Sequence, residues 1–530
     1  MSPNQRLIVA VLLSIIFFVG YTAIFPPKEQ AVADKAKTKT ENVASKDVKS
    51  VTQRVEEASG HAVSQQEKME STASSDIVTI KNKNFILKID TLGRIASKEL
   101  LEEKFRNADD LHAQVIPAFG TKPLYIRFAN DKINDEATKV PYVASASTIE
   151  LNDDPVTVTL TQKLSDLTVT KTLTFYADGH YDAKISTSKD VRYFVYLGDR
   201  PQVSKKLMAV AGAMVYTGDD VVHIIEDGDA EGRQVFQDVK LISSFDQYTA
   251  IMLYGFPKDT SVVVERGHDD NPVVYFEARE HENFHGYIGP KEHKVLNAID
   301  PILTNAIEYG WFTFAAKPIF ALLSWLHSIF GNWGWAIIAL TAIIRLVLYP
   351  LTYKGMVSMQ KMKELAPKLK ELKEKYKKDP QRLNAATMEM YKKHGANPLG
   401  GCLPMLLQIP VFFALYRTLL NAVELQGAPW ILWIHDLSRM DPYYVLPVLM
   451  GASMFLQQRM TPNNFTDPLQ EKVFKYLPVI FTFFFVTFPS GLVLYWFVNN
   501  LFSIAQQYMV NQQFRNAKDL KAAIEKKSEK

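Results

Sequence analysis

Apolar residues are laid out along this chain in two unlike ways. Between 76 and 300 they alternate with polar ones: Phe85, Leu87, Ile89; Val156, Val158, Leu160; Leu167, Val169; Leu173, Phe175. A period of two puts every second side chain on one face, which predicts half-buried antiparallel strands. Asp178-Gly179 stands between the last run and Tyr181, Ala183 and Ile185 as a two-residue hairpin signal. Asp269-Asp270-Asn271 separates the apolar run 262–264 from 273–276 in the same manner. An all-β sandwich over 76–305 follows.

Elsewhere the apolar positions run together. A helix needs about 20 apolar residues to cross a bilayer, and residues 7–25, 333–353, 403–423, 443–458, 476–488 and 491–510 predict six spans. The turn Phe488-Pro489-Ser490-Gly491 suits a hairpin between the last two. Ala31-Val32-Ala33 resembles a signal-peptide processing site but lies beyond Pro26-Pro27, so 1–27 is read as an uncleaved anchor. Residues 28–75 are polar without periodicity, the composition of a flexible tether.

Charge settles the ambiguous stretch 311–330, which is apolar but broken by Lys317, Pro318 and His327. The segment 351–401 carries 12 Lys plus Arg against 5 acids, and the tail 511–530 carries 6 against 3, so both belong on the cytoplasmic side. A seventh span would move the most basic loop across the membrane. Residues 306–332 are therefore expected to lie flat as an interfacial amphipathic helix, and the β domain to be exported. Within 354–400 the pattern predicts two helices broken at Asp379-Pro380 and stopped by Gly395. Met356, Met359 and Met362 recur at threes along the first arm, either packing against the second arm or offering an adaptable surface to partners.

Composition narrows the chemistry. Over 530 residues, 60 Lys plus Arg nearly balance 57 Asp plus Glu, too even for a surface devoted to nucleic acid. The single cysteine, Cys402, excludes internal disulfides and clustered-cysteine metal sites. His281-Glu282-Asn283-Phe284-His285 matches the zinc-protease pattern, which requires a helix. Strand-like residues precede it, Gly286 and Gly289-Pro290 follow, and the position for a third ligand holds Lys291, so surface loop histidines are expected instead. No catalytic residue, metal or cofactor is expected.

Arg345 is the exceptional residue. It lies in an otherwise uncharged span, about 18 Å along the helix from Trp333 and about 7.5 Å from Pro350. Such a charge costs roughly 2.5–3.5 kcal/mol at a helix centre, and the spans offer it no carboxylate. One outcome is snorkelling to the interface. A second is interhelical hydrogen-bond glue, worth about 0.6 kcal/mol per contact, and the third, expected here because the Arg has no charged partner, is a water-filled groove open to the cytoplasm. Thr341, Arg345 and Tyr349 share one helix face, Tyr495, Asn499, Ser503 and Gln506 another, and Gln408 adds an amide. Beside this polar set, Phe412, Phe413, Phe481, Phe483, Phe484 and Phe485 offer an apolar surface along which a helix can slide into lipid.

The stretches GNWGWAIIALTAIIRLVLYPLTYKGMVSMQKM (331–362), NPLGGCLPMLLQIPVFFALY (397–416), APWILWIHDLSRMDPYYVLPVLMG (428–451) and FPSGLVLYWFVNNLFSIAQQ (488–507) resemble the YidC/Oxa/Alb membrane insertases, in the long form with a periplasmic domain. The resemblance implies a multi-domain inner-membrane protein with both termini cytoplasmic: a six-span α-helical bundle with a cytoplasmic helical hairpin, plus a periplasmic all-β supersandwich of sugar-binding type. It implies insertion of nascent membrane proteins without ATP. Arg345 would draw the hydrophilic part of the substrate into a groove open to the cytoplasm and inner leaflet. It also implies contacts with the Sec translocon, the ribosome and anionic lipids, and no small-molecule substrate. The rival classes are a channel or transporter, which would need paired charges or inverted repeats, and a tethered enzyme acting through the β domain.

Overall fold

The computed structural model describes residues 75–106, 111–203, 210–258, 260–267, 270–307, 313–377, 379–395, 403–460 and 468–528. The expected anchor, and the tether up to residue 74, lie outside them. The chain divides into two compact units, 1–308 and 309–530.

The first unit is β-rich, as the alternation predicts. Thr168–Phe175 buries every second side chain, and it pairs antiparallel with Val156–Lys163 on one side and His180–Thr187 on the other. These strands belong to a nine-stranded sheet continued by His281–Pro290 and Thr249–Tyr254. Two five-stranded sheets complete the unit, one built on Asp76–Lys81, Phe85–Asp90 and Ile95–Leu100, the other on Arg192–Tyr196, Val262–Arg266 and Pro272–Arg279. The hairpin at Asp178-Gly179 is one residue longer than the sequence signal. Tyr176 N–H donates to His180 O at 3.1 Å, leaving a three-residue loop with Gly179 at φ +94°.

The histidine motif is corrected in one respect. His281–Pro290 is a strand of the large sheet, not a surface loop. Residues four apart in a strand are about 13 Å apart, so His281 and His285 cannot share a metal; His285 pairs with Asp182 of the neighbouring strand and His281 with Glu280.

Two fully buried lysines bridge segments of this unit. Lys98 donates to Ile288 O at 2.5 Å over the Phe85 ring, and Lys171 donates to Gly93 O and Leu124 O, each at 2.8 Å. Burial pushes both ammonium groups down to about 7, with Asp178 opposing the shift at Lys98 and Asp90 at Lys171. Between about pH 7 and the usual lysine value the unfolded chain holds more protons than the folded one. Stability from these groups therefore rises with pH across that window and is flat below it. The unfolding temperature of the β unit should climb from pH 7 to 9, and the climb should shrink in Lys171→Met; an unchanged climb in that variant would remove Lys171 as its source.

The second unit is helical: α1 (Thr313–Phe330), α2 (Trp333–Glu364), α3 (Ala366–Lys375), α4 (Pro380–Lys393), α5 (Leu403–Asn421), α6 (Val445–Met460), α7 (Pro468–Phe485) and α8 (Ser490–Ser528). Ile337 and Leu340 of α2, Leu415 and Leu419 of α5, Met450 of α6, and Leu492 through Tyr495 of α8 form its core. Gly451 admits α7 closely, since a Cβ there would stand 1.9 Å from Thr482 Oγ1.

Three expectations change. Residues 333–353 do not form a helix of their own: α2 continues without a break through Pro350 to Glu364, and α8 likewise runs through the expected tail. The hairpin's first arm is thus the end of α2 followed by α3, while α4 starts where expected, with Asp379 accepting from Arg382 N–H and Pro380 in the first turn. Finally, the Trp and Phe side of α1, expected to face the acyl boundary, is divided. Phe320, Leu323 and Leu326 are buried in the helical core, and Trp325, Ile329 and Phe330 stay exposed. Among the described residues α2 alone is long and apolar enough to cross a membrane; α6 has only 16 residues.

Candidate functional site

One end of the helical unit is closed by hydrogen bonds. Asn332 caps α2 through Trp335 N–H and also donates to Pro429 O at 3.0 Å and Trp430 O at 3.3 Å. Ser490, at the start of α8, donates its backbone N–H and its hydroxyl to Arg439 O, and Gly491 N–H donates to Leu437 O. Buried Asp441 accepts from the Trp433 indole and from the backbone of Tyr443 and Leu446, fixing the entry to α6. These tie the 424–444 loop to the ends of α2, α6 and α8. At the other end Tyr353 of α2 donates to Gln513 of α8 at 2.9 Å, so the two helices run parallel.

Between those ends lies Arg345. Its side chain does not reach for the helix end, as snorkelling would require. It is only 7% exposed and crosses to α8, where Nε donates to Asn499 Oδ1 at 2.7 Å. Nη2 donates to Ser503 Oγ at 2.6 Å and to Asn499 O at 3.1 Å. Every one of these acceptors is neutral; no carboxylate among the described residues pairs with the guanidinium.

The other expected groove residues divide. Tyr495 and Gln506 are buried on α8, and Gln506 Oε1 has no hydrogen-bond partner. Gln408 is half-buried on α5. Thr341 is buried too, but its hydroxyl donates to Ile337 O of its own helix, which satisfies it locally. Sequence reading missed Asn500, whose amide donates to Ser453 Oγ at 3.1 Å and to Met450 O at 3.4 Å, joining α8 to α6. The signal was its adjacency to Asn499, one helical step round the same polar segment.

The aromatic surface also divides. Phe413 and Phe484 are 40% and 53% exposed, with Phe483 more so. Phe412 is half-buried with its ring edge-on to Trp496, and Phe481 stacks on Phe485. Phe485 itself is only 2% exposed, packed on Trp496 and Phe488. It is a core residue and not part of an open slide. Met356, Met359 and Met362 are half-buried, all on α2.

A β-rich unit followed by a helical unit with a buried arginine and one helix long and apolar enough to cross a membrane fits the class of membrane-bound proteins. The family described as 60Kd inner membrane protein matches residues 325–518, and the YidC periplasmic domain matches 258–322. A membrane protein insertase YidC from Wolinella succinogenes is 47% identical over 99% of this chain and 97% of its own. One from Campylobacter jejuni is 46% identical over 96% of each, and one from Helicobacter pylori is 43% identical over 99% of each. The chain belongs to the YidC family.

The Arg345 bonds yield a direct test. Asn499→Leu leaves Nε buried without its acceptor, and a lost hydrogen bond to a charged group is worth about 1.5–3 kcal/mol. Thermal unfolding of the detergent-solubilised protein should register a loss of that order, and no change would mean the bond does not hold α2 to α8.

Proposed function

We propose that this chain is a membrane protein insertase that moves nascent polypeptides into the inner membrane without nucleotide hydrolysis, alone or beside the Sec translocon. The observation that carries the mechanism is the buried Arg345 guanidinium, whose partners among the described residues are all neutral. A cation held in a bundle without a counter-ion favours an arriving acidic or strongly hydrated segment, because that segment supplies the missing charge. Asn499 and Ser503 hold the cation in place meanwhile. The hydrogen-bonded closure at the 424–444 end favours a groove entered from the opposite, Lys-rich end. The apolar part of the substrate would leave along the exposed aromatics of α5 and α7, Phe413, Phe483 and Phe484.

In this reading the bundle has six spans, counting 7–25, with both termini cytoplasmic and the β domain periplasmic. The α3–α4 hairpin and the three methionines form the receiving surface, within reach of ribosome and anionic headgroups. Lipid partitioning drives the transfer of the apolar segment. For acidic tails the membrane potential contributes roughly 2.3 kcal/mol per charge per 100 mV. The sequence has no phosphate-binding GxxxxGK[ST] loop, which accords with a process driven by these terms.

The test compares single-span substrates whose exported tails are acidic or neutral. Arg345→Ala should lower insertion of the acidic-tailed substrate at least tenfold and of the neutral one less, with Arg345→Lys intermediate. Equal insertion of both substrates by the Ala variant would remove the cation from the mechanism.

A further inference from the structure

Beyond the groove, the closed end of the helical unit carries a feature the insertase reading does not use. Trp430 N–H donates to Ile434 O at 2.9 Å and Ile434 N–H to Ile431 O at 3.1 Å, folding 430–434 into a tight loop. Ile434 is buried in the helical core, and Trp430 lies against Gly334, where a Cβ would meet its ring at 2.1 Å. The base of the loop is thus fixed from inside. Its tip points the other way: Leu432 is 74% exposed and Ile431 also exposed. Leu432 adopts φ +54°, a left-handed conformation that a branched apolar residue rarely takes and that glycine takes freely.

A strained, outward-facing leucine gains little from its own protein, so the compensation comes from outside. The surroundings say what covers it. Trp325, Trp333, Trp335, Trp430 and Trp433, five of the chain's seven tryptophans, lie near this end, with exposed Tyr443 and Tyr444 beside them. Aromatic side chains gather where acyl chains meet headgroups. Val448 and Leu449 at the head of α6 are exposed as well. The Lys-rich α3 and α4 belong to the opposite end, which places this loop at the exterior leaflet.

From this we infer that the 430–434 loop is a monotopic anchor, inserting Ile431 and Leu432 into the acyl region of the outer leaflet below a belt of tryptophans. The inference rests on the membrane reading above but is separable from it. A preset loop of this kind fixes the depth and tilt at which the closed end of the bundle sits, which transmembrane length alone does not.

The experiment uses the full chain in Cys402→Ala, reconstituted in liposomes. Nitroxide labels go at Leu432→Cys, at Leu346→Cys on the outward face of α2, and at Phe119→Cys, an exposed residue of the β unit. Power saturation compares collision with oxygen, enriched in lipid, and with a water-soluble nickel chelate. The inference expects position 432 to resemble 346, with oxygen access at least several-fold above nickel access, while 119 shows the reverse. If 346 reads as lipid and 432 matches 119, the loop stands in water and the inference fails while the membrane reading survives. If 432 is shielded from both reagents, a protein surface covers it and the inference fails likewise. Should 346 itself read as water, both fall together.

Discussion

A guanidinium held among neutral acceptors in the middle of a helix pair is the constraint on which the C-terminal unit depends. Arg345 joins α2 to α8 through Asn499 and Ser503, so the polar stripe that a membrane interior would penalise becomes the bond between two helices. Among the described residues no carboxylate pairs with that charge. Hydrogen bonds to an amide, a hydroxyl and a carbonyl stabilise a cation without neutralising it. On the proposed function, such a site would persist through these hydrogen bonds and attract a passing anionic segment, the combination a transient receptor needs.

The rest of the unit makes that incompleteness directional. The 424–444 loop is sewn to the starts of α2, α6 and α8 by Asn332, Asp441 and Ser490. Opposite it, α2 and α8 run on through residues 354–364 and 511–528 as the helices that lead into the basic hairpin and tail. On the proposed function, one end would be the seal and the other the entrance. At the tied end the bonds are made by backbone carbonyls and helix caps.

Much of this was legible in the chain, for physical reasons that also explain what was not. Period-two burial identified strands such as Thr168–Phe175 because a sheet with one buried face imposes it. Hydropathy located the apolar helices but not their ends, since the Met- and Lys-bearing residues after Tyr353 keep helical backbone as readily as the apolar ones before it. It also failed to separate protein interior from lipid. Phe484 and Phe485 are adjacent in the sequence, yet the step between helical neighbours sends one outward and the other against Trp496. The buried side of α1 shows the same ambiguity. Arg345 was legible as exceptional because charge in an apolar run is rare; the polar stripe on α8 was legible from its four-residue spacing, but as the lining of a wet groove and not as the direct acceptors of Arg345 that Asn499 and Ser503 are, whereas Asn500 lay one residue off that stripe.

The central claim of the proposed function is that water and substrate reach the buried Arg345 from one side only. Single cysteines at Gln408 and Gln506, in Cys402→Ala, can be treated with a membrane-impermeant maleimide from either side of sealed vesicles. The account predicts labelling from the side that carries the basic hairpin and protection from the other. Protection of both positions from both sides would mean a dry, closed bundle and would contradict it.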